Sequence, residues 1–314
     1  MGSRNFGLGS RNMDVAGQFA LQREMESFKS VDTMAERWGQ FCTWAKDEGI
    51  KKMEQIEQAD LIRYGNELAG RVERGEMAAS TAQNYVSACN RVLEIARGDK
   101  EVWVSPTKDC NIPERSGIAG EDKAMPLEVH QVAKEAVSER IGALMDVQRE
   151  LGLRFEESAK LDARSALAEA QERGAVSIED GTKGGRDREV PITSERQLEA
   201  LERAAEIQGN DRSMIPAEQS YAEFQREAYA EAGEVGIRFH DERHEYAQSR
   251  YEDLVGALCP IEAGIKHGQA HYEYLAEQLN VQVNEARDLD HKAREQIAEE
   301  LGHGRIEVTN AYLG

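Results

Sequence analysis

Apolar side chains recur at helical spacing along most of the chain. From Ser30, which reads as an N-cap, Met34, Trp38, Phe41, Cys42 and Trp44 line one face of a helix that stops near Gly49. A further helix is expected over 58–73, with Asp60 in its first turn. Another, capped by Ser80, turns Tyr85, Val86, Cys89, Val92, Leu93 and Ile95 inward until Gly98. An earlier helix runs from about Val15 to Phe28, behind a glycine-rich stretch with Arg4 and Arg11 that reads as a flexible arm. Residues 99–124 lose the helical period and hold Pro106, Pro113, Gly117 and Gly120, the marks of an interdomain linker. Helices resume over 127–137 and 139–151 and again after Arg154. Residues 176–192 break the pattern, because two short β-prone runs flank a turn with Gly181, Gly184 and Gly185, which predicts a hairpin. Helical spacing then returns over 194–207, 217–232, 240–254, 271–279 and 289–301.

The fold class expected is therefore mainly α with one small β-hairpin. The expected organisation is an N-terminal arm and helix over 1–29, a helical domain over 30–98, a linker over 99–124 and a second domain over 125–314.

Composition narrows the class. No stretch approaches the roughly 18 apolar residues of a membrane span, and the N-terminus lacks the apolar run of a secretion signal, so a cytoplasmic protein is expected. Cys42, Cys89, Cys110 and Cys259 are scattered without metal-binding or disulfide spacing and read as buried or half-buried free thiols. The formal net charge is -20, and it is uneven: residues 1–120 carry 16 basic against 18 acidic side chains, the remainder 23 against 41. Such a chain repels nucleic acid at long range, so any binding to DNA must come from local cations and be sensitive to salt.

Four groups in the second domain carry candidate chemistry. Gly152-Leu-Arg154-Phe-Glu-Glu157 sets a guanidinium at a helix start, where it can fork onto phosphate oxygens while Glu157 holds it one turn later. Lys183, on a Gly-Gly turn, can project into a DNA groove and give a proton to a leaving oxygen. His240 and Arg243 share a helix face, a second fork beside an imidazole. The chain then ends in Leu301-Gly-His303 and Tyr312-Leu-Gly314, which adds a donor and a phenol that could act as nucleophile. Singly, each has a plainer explanation: a surface arginine, a solvated turn lysine, an aromatic plug on the last helix. Two histidine pairs at i, i+4, His240 with His244 and His267 with His271, also have metal-ligand spacing, although Asp241 stands where the zinc-protease pattern requires glutamate.

In this order the four groups resemble the tyrosine recombinases, the phage-integrase family, and the pattern is similar to integrases of bacterial mobile elements. Gly152-Leu-Arg154-x-x-Glu157 resembles the family's first arginine motif, and Thr182-Lys183-Gly-Gly-Arg-Asp-Arg-Glu-Val-Pro191 its hairpin lysine. His240-x-x-Arg243-His244 resembles the central box, and Leu301-Gly-His303 with Tyr312 the terminal one. Residues 30–98, with the Ser80-Thr-Ala-Gln-Asn-Tyr helix start, resemble the core-binding domain, which makes 125–314 the catalytic domain. The resemblance implies a site-specific recombinase that cuts and rejoins double-stranded DNA as a homotetramer, through a 3'-phosphotyrosyl intermediate, with no metal, ATP or other cofactor. It implies Arg154, Lys183, His240, Arg243, His303 and Tyr312 as catalytic, with Glu157 in support. A catalytically silent DNA-binding regulator and a metal-dependent hydrolase are the alternatives.

Two features depart from the family pattern. The 59 residues between Arg243 and His303 exceed its usual length, and the excess over 256–300 reads as an acidic, solvated, amphipathic insertion. Little of the chain follows Tyr312. The insertion, or the arm at 1–28, is then expected to supply contacts between protomers, and deletion of 258–285 to abolish assembly on DNA while leaving a folded monomer.

Overall fold

The computed structural model describes residues 4–314, which fall into two compact units, one through Ser116 and one from Gly117 to Gly314. No helix among them is long and apolar enough to cross a membrane.

The first unit is built from α1 (Met13–Glu24), α2 (Phe28–Asp47), α3 (Gln58–Glu73) and α4 (Ala79–Arg97). The inward faces of α2 to α4 pack as their spacing requires, with Trp38, Phe41, Cys42, Leu61, Leu68, Val86, Cys89 and Leu93 all buried. Gly98 ends α4 with φ 78°, the left-handed conformation that glycine adopts without a Cβ penalty. Three details differ from the expectation. Phe28 opens α2 rather than closing the preceding helix, because Ser27, not Ser30, caps it. The stretch before α1 is not a free arm among its described residues. Asn5 is fully buried, its side chain accepting from the Met53 amide (3.0 Å) and donating to the Ser10 carbonyl (3.0 Å), and Leu8 joins the core. The first half of the expected linker also belongs to this unit. Val102, Val104, Cys110 and Ile112 are buried, and the Asn90 side chain bonds both the amide and the carbonyl of Val104 (3.1 and 2.7 Å).

The second unit contains α5 (Leu127–Ala136), α6 (Glu139–Leu151), α7 (Phe155–Lys160), α8 (Ala163–Arg173), a hairpin of β1 (Ala175–Ile178) and β2 (Arg188–Pro191), α9 (Glu195–Gln208), α10 (Tyr221–Glu234) and α11 (His240–Val255). After these come α12 (Pro260–Ala263), α13 (Gln269–Leu279), α14 (Val283–Glu300), a 3-10 turn (Ile306–Thr309) and α15 (Asn310–Leu313). The fold is α-rich with one two-stranded antiparallel sheet, paired Val176 with Val190 and Ile178 with Arg188. Helix α6 lies at the centre, with Ile141, Leu144, Met145, Val147 and Leu151 buried on several sides. The polar groups it carries inward find partners: Asp146 lies 3.1 Å from His130 Nε2, and Arg149 bonds Glu242 of α11 at 3.0 Å, itself 2.7 Å from His130 Nδ1.

The segment 256–300 is not a solvated insertion. Cys259, His271, Leu275, Ala286, Asp290, Ala293, Arg294 and Ile297 are buried in the second unit, and α14 packs along α11 and β2. Its many acidic residues concealed an inward face whose small alanines pack closely and whose Asp290 is paired with Arg294 at 2.9 Å. Deleting 258–285 would strip Cys259, His271 and Leu275 from the core, so a folded monomer is not the outcome to expect.

Candidate active site

The site is assembled where the end of α6, the start of α7, β2, α11 and the tail after α14 meet. Gly152 ends α6 with φ 63°, and a Cβ there would fall 2.5 Å from the Tyr246 ring and 2.9 Å from Leu301. Only glycine allows this close approach, which sets its carbonyl toward α11. Two residues later Arg154 caps α7. Glu157 accepts from the Arg154 amide (2.7 Å) and from its Nη1 (2.6 Å), while Arg154 Nη2 donates to the Leu301 carbonyl (3.3 Å).

Glu157 is itself held by a residue the sequence pattern did not single out. Arg188, at the start of β2, forks onto it with Nη1 to Oε1 at 3.0 Å and Nη2 to Oε2 at 2.7 Å, and donates Nε to the Glu300 carbonyl at 2.7 Å. The signal was present in the strand alternation, since Arg188 falls on the same inward face as the fully buried Val190. Burial pushes the Glu157 carboxyl up, but the bonds and charge of Arg188, with the Arg154 amide and the Arg243 charge, outweigh this and hold it at about 2.

Arg243 is completely buried. It donates Nη1 to the Gly152 carbonyl and Nη2 to the Leu301 carbonyl, Nη2 also meets His303 Nε2 at 3.2 Å, and Nε donates to the Tyr312 hydroxyl at 3.3 Å. Burial, partly countered by Tyr312, pushes this guanidinium down to about 10, so it is still a cation at neutral pH. Since Nε2 of His303 accepts, its proton is assigned to Nδ1, a buried atom with no hydrogen-bond partner.

Tyr312 is buried, and its hydroxyl also lies 3.4 Å from His240 Nε2. Its ring packs on His244 (centroids 4.6 Å apart), His303 (5.3 Å) and His240 (5.7 Å). Burial first, then neighbouring positive groups, pushes His244 down to about 4 and His303 to about 3. His240 is lowered as well, by burial of its ring first and then by the charges of Arg243 and Arg154, although the residue as a whole is exposed. All three imidazoles are therefore neutral at pH 7, and His240 can accept a proton.

The structure brings Arg154, Glu157, His240, Arg243, His303 and Tyr312 together. It leaves Lys183 on the exposed hairpin loop, with no hydrogen bond or ion pair among the described residues. That loop nonetheless rests on the site: a Cβ on Gly181 would fall 2.8 Å from the Glu156 backbone, and one on Gly304 would fall 2.2 Å from the Arg186 guanidinium. The metal-spaced histidines serve other ends. The rings of His240 and His244 stand at 88°, and buried His271 turns Nε2 to the Leu258 carbonyl at 3.0 Å. Among the described residues no group of three or more His, Cys, Asp or Glu is arranged to hold a metal.

The buried histidines should make stability depend on pH. His244 is neutral in the native state and has an ordinary value near 6.5 when unfolded, so the unfolded chain binds more protons between about pH 4 and 6.5. Its contribution to stability is full above 6.5 and lost as pH falls toward 4, about 2 kcal/mol between pH 7 and pH 5. Urea denaturation should show a His244→Asn variant losing less stability over that interval than the parent chain. Equal losses would contradict the assignment.

Two cations on one carboxylate, a buried arginine against a phenol and a neutral imidazole beside it gather positive charge and a proton acceptor around one hydroxyl. The integrase family profile matches residues 114–249, a span that includes Arg154, Lys183, His240 and Arg243. The second unit is of the tyrosine-recombinase, or phage-integrase, family. No curated protein matches the sequence. Among solved structures, a lambda integrase dimer bound to a COC' core site aligns with a TM-score of 0.55 at 15% identity, covering 95% of this chain and 93% of that one. The Tn1549 transposon integrase in complex with transposon right end DNA gives 0.53 at 10% identity, covering 99% and 95%. A lambda integrase tetramer bound to a Holliday junction gives 0.51 at 16% identity, covering 76% and 71%. These likenesses establish a shared fold. The contacts around Tyr312 lie within the second unit.

Proposed function

We propose that the chain is a site-specific DNA recombinase that cuts and rejoins double-stranded DNA with Tyr312 as nucleophile. The observation that carries this reading is the Tyr312 hydroxyl, set 3.3 Å from the buried Arg243 guanidinium and 3.4 Å from the neutral His240 imidazole. A phenol has a pKa near 10 and is a poor nucleophile at neutral pH unless a base takes its proton as it attacks.

In the proposed reaction the scissile phosphate enters among Arg154, Arg243 and His303, replacing backbone carbonyls that now accept from the two arginines. Tyr312 Oη attacks phosphorus while its proton passes to His240. The bond to the 5' oxygen breaks, and Lys183 on the hairpin loop gives that oxygen a proton. The product is a 3'-phosphotyrosyl link and a free 5'-hydroxyl. Attack by the 5'-hydroxyl of a partner strand reverses the steps and reseals the backbone. Developing negative charge on the phosphate oxygens is met by the cations already in place, with Glu157 and Arg188 fixing Arg154. The exchange conserves one phosphodiester per strand and so consumes no nucleotide.

Exchange between two duplexes calls for four nucleophiles, so the working form is a homotetramer on DNA, as the lambda integrase on a Holliday junction is a tetramer. Such a substrate places its work in the cytoplasm. With a net charge of -20, affinity should come from several protomers each contributing local cations, and fall steeply with salt.

The test is a suicide substrate nicked close to the cleavage point, incubated in EDTA. Wild type should accumulate a covalent protein-DNA adduct, and Tyr312→Phe should lose it while retaining DNA affinity. An adduct of undiminished yield in Tyr312→Phe would overturn the proposal.

A further inference from the structure

The short helix that carries the tyrosine is held at both ends by one side chain from the unexpected stretch before His303. Arg294 of α14 donates Nη1 to Asn310 Oδ1 at 2.9 Å, at the start of α15, and Nη2 to the Gly314 carbonyl at 3.2 Å, just past its end. Its Nε bonds both oxygens of Asp290 at 2.9 and 3.0 Å. Asp290 accepts in turn from the Tyr251 hydroxyl at 2.7 Å, and the Tyr251 ring lies beneath the guanidinium at 5.9 Å. Arg294, Asp290 and Tyr251 are all buried, and Leu313 between the two anchors is fully so.

A buried arginine is costly unless its fork is filled, and here each of the three guanidinium nitrogens has a partner. The carboxylate and the tyrosine fix the guanidinium, and the fixed guanidinium spans the single turn of α15. A turn of four residues has no stability of its own. Its position must be imposed from outside, and Tyr312 lies within it. Outside the Tyr312 hydroxyl and ring contacts, the segment's backbone carbonyls also accept single bonds, from the Ala119 amide to Asn310 at 2.8 Å and from Gln248 Nε2 to Tyr312 at 3.2 Å.

We propose that Arg294, oriented by Asp290 and Tyr251, is a positioning residue that latches the tyrosine-bearing turn into the active site of its own protomer. The inference rests on Tyr312 as the nucleophile. It explains why the residues before His303 are built into the core, since they carry the clamp that determines where the hydroxyl sits. A latch of this kind favours cleavage by the protomer that binds the phosphate, and its release frees Tyr312 to leave the pocket.

The test uses the full chain with two variants. Arg294→Gln removes the charge and the fork, and the milder Asn310→Ala removes one anchor while leaving Arg294 paired with Asp290, so one folded variant is secured. Without DNA, nitration of Tyr312 by tetranitromethane, read by peptide mapping, should be slow in wild type and roughly tenfold faster in the variants, the loss of a charge-assisted hydrogen bond. With saturating nicked DNA, adduct formation should slow by roughly tenfold while DNA affinity stays within about twofold. Unchanged protection of Tyr312 in both variants, or adduct formation within about twofold of wild type, overturns the latch. The nitration readout needs no cleavage, so a chain that forms no adduct at all would refute the recombinase reading and leave the latch to be decided by nitration.

Discussion

Replacing Arg243 by alanine should reduce strand cleavage by at least about 10³-fold and lower folding stability by about 2–4 kcal/mol. Both effects come from the same geometry. The guanidinium is fully buried and donates to the carbonyls of Gly152 and Leu301, to His303 and to Tyr312. Removing it leaves the Gly152 carbonyl without that donor and opens a cavity, while the desolvation that pushes this arginine down to about 10 is relieved and offsets part of the loss. Catalysis has no such offset, because Arg243 is the cation whose Nε donates to the Tyr312 hydroxyl. Arg243→Lys separates the two roles. It keeps the charge but lacks the planar fork, so cleavage should still fall by about 10²-fold. Single-turnover cleavage of the nicked substrate and urea denaturation measure the pair of effects. Cleavage by Arg243→Ala within about tenfold of wild type would mean that the arginine is structural only.

Glu157→Ala should be the most damaging change outside the reacting groups, at about 3–5 kcal/mol of stability. The carboxylate is 1% exposed and is shared by Arg154 and the buried Arg188, with Arg243 at 3.9 Å. Its loss leaves positive groups facing one another with their shared negative charge removed. Arg154 would also lose the bond that fixes its side chain at the start of α7, so cleavage should fall by about 10²-fold even in conditions where the variant is folded. Adding Arg188→Met should recover part of the stability, because it withdraws one orphaned cation, but not the cleavage. Simple additivity of the two stability losses in this double variant would contradict the shared carboxylate.

Much of this was legible in the sequence because it depended on local patterns. The apolar faces of α2 to α4, the glycine stop at Gly98 and the hairpin around Gly181 and Gly185 follow from spacing and turn chemistry alone. Arg154, His240, Arg243, His303 and Tyr312 could be named from their order along the chain, and the structure brings their side chains to one place. What was illegible depended on distant partners. The carbonyls of Gly152 and Leu301 that engage the arginines have no side-chain signature. Arg188 is hard to single out because a charged residue in a strand reads as surface, even though it shares an inward face with Val190. The stretch 256–300 reads as solvated because a charge count does not show which charges pair, as Asp290 and Arg294 do inside the core. Lys183 lies on an exposed loop, and the role proposed for it depends on DNA.

The most direct measurement is the chemical identity of the protein-DNA link. After trapping on the nicked substrate in EDTA and digesting both protein and DNA, mass spectrometry should find a 3'-phosphonucleotide carried on Tyr312 and on no other residue. A nucleotide attached to a different side chain, or cleavage with no covalent link at all, would contradict the account.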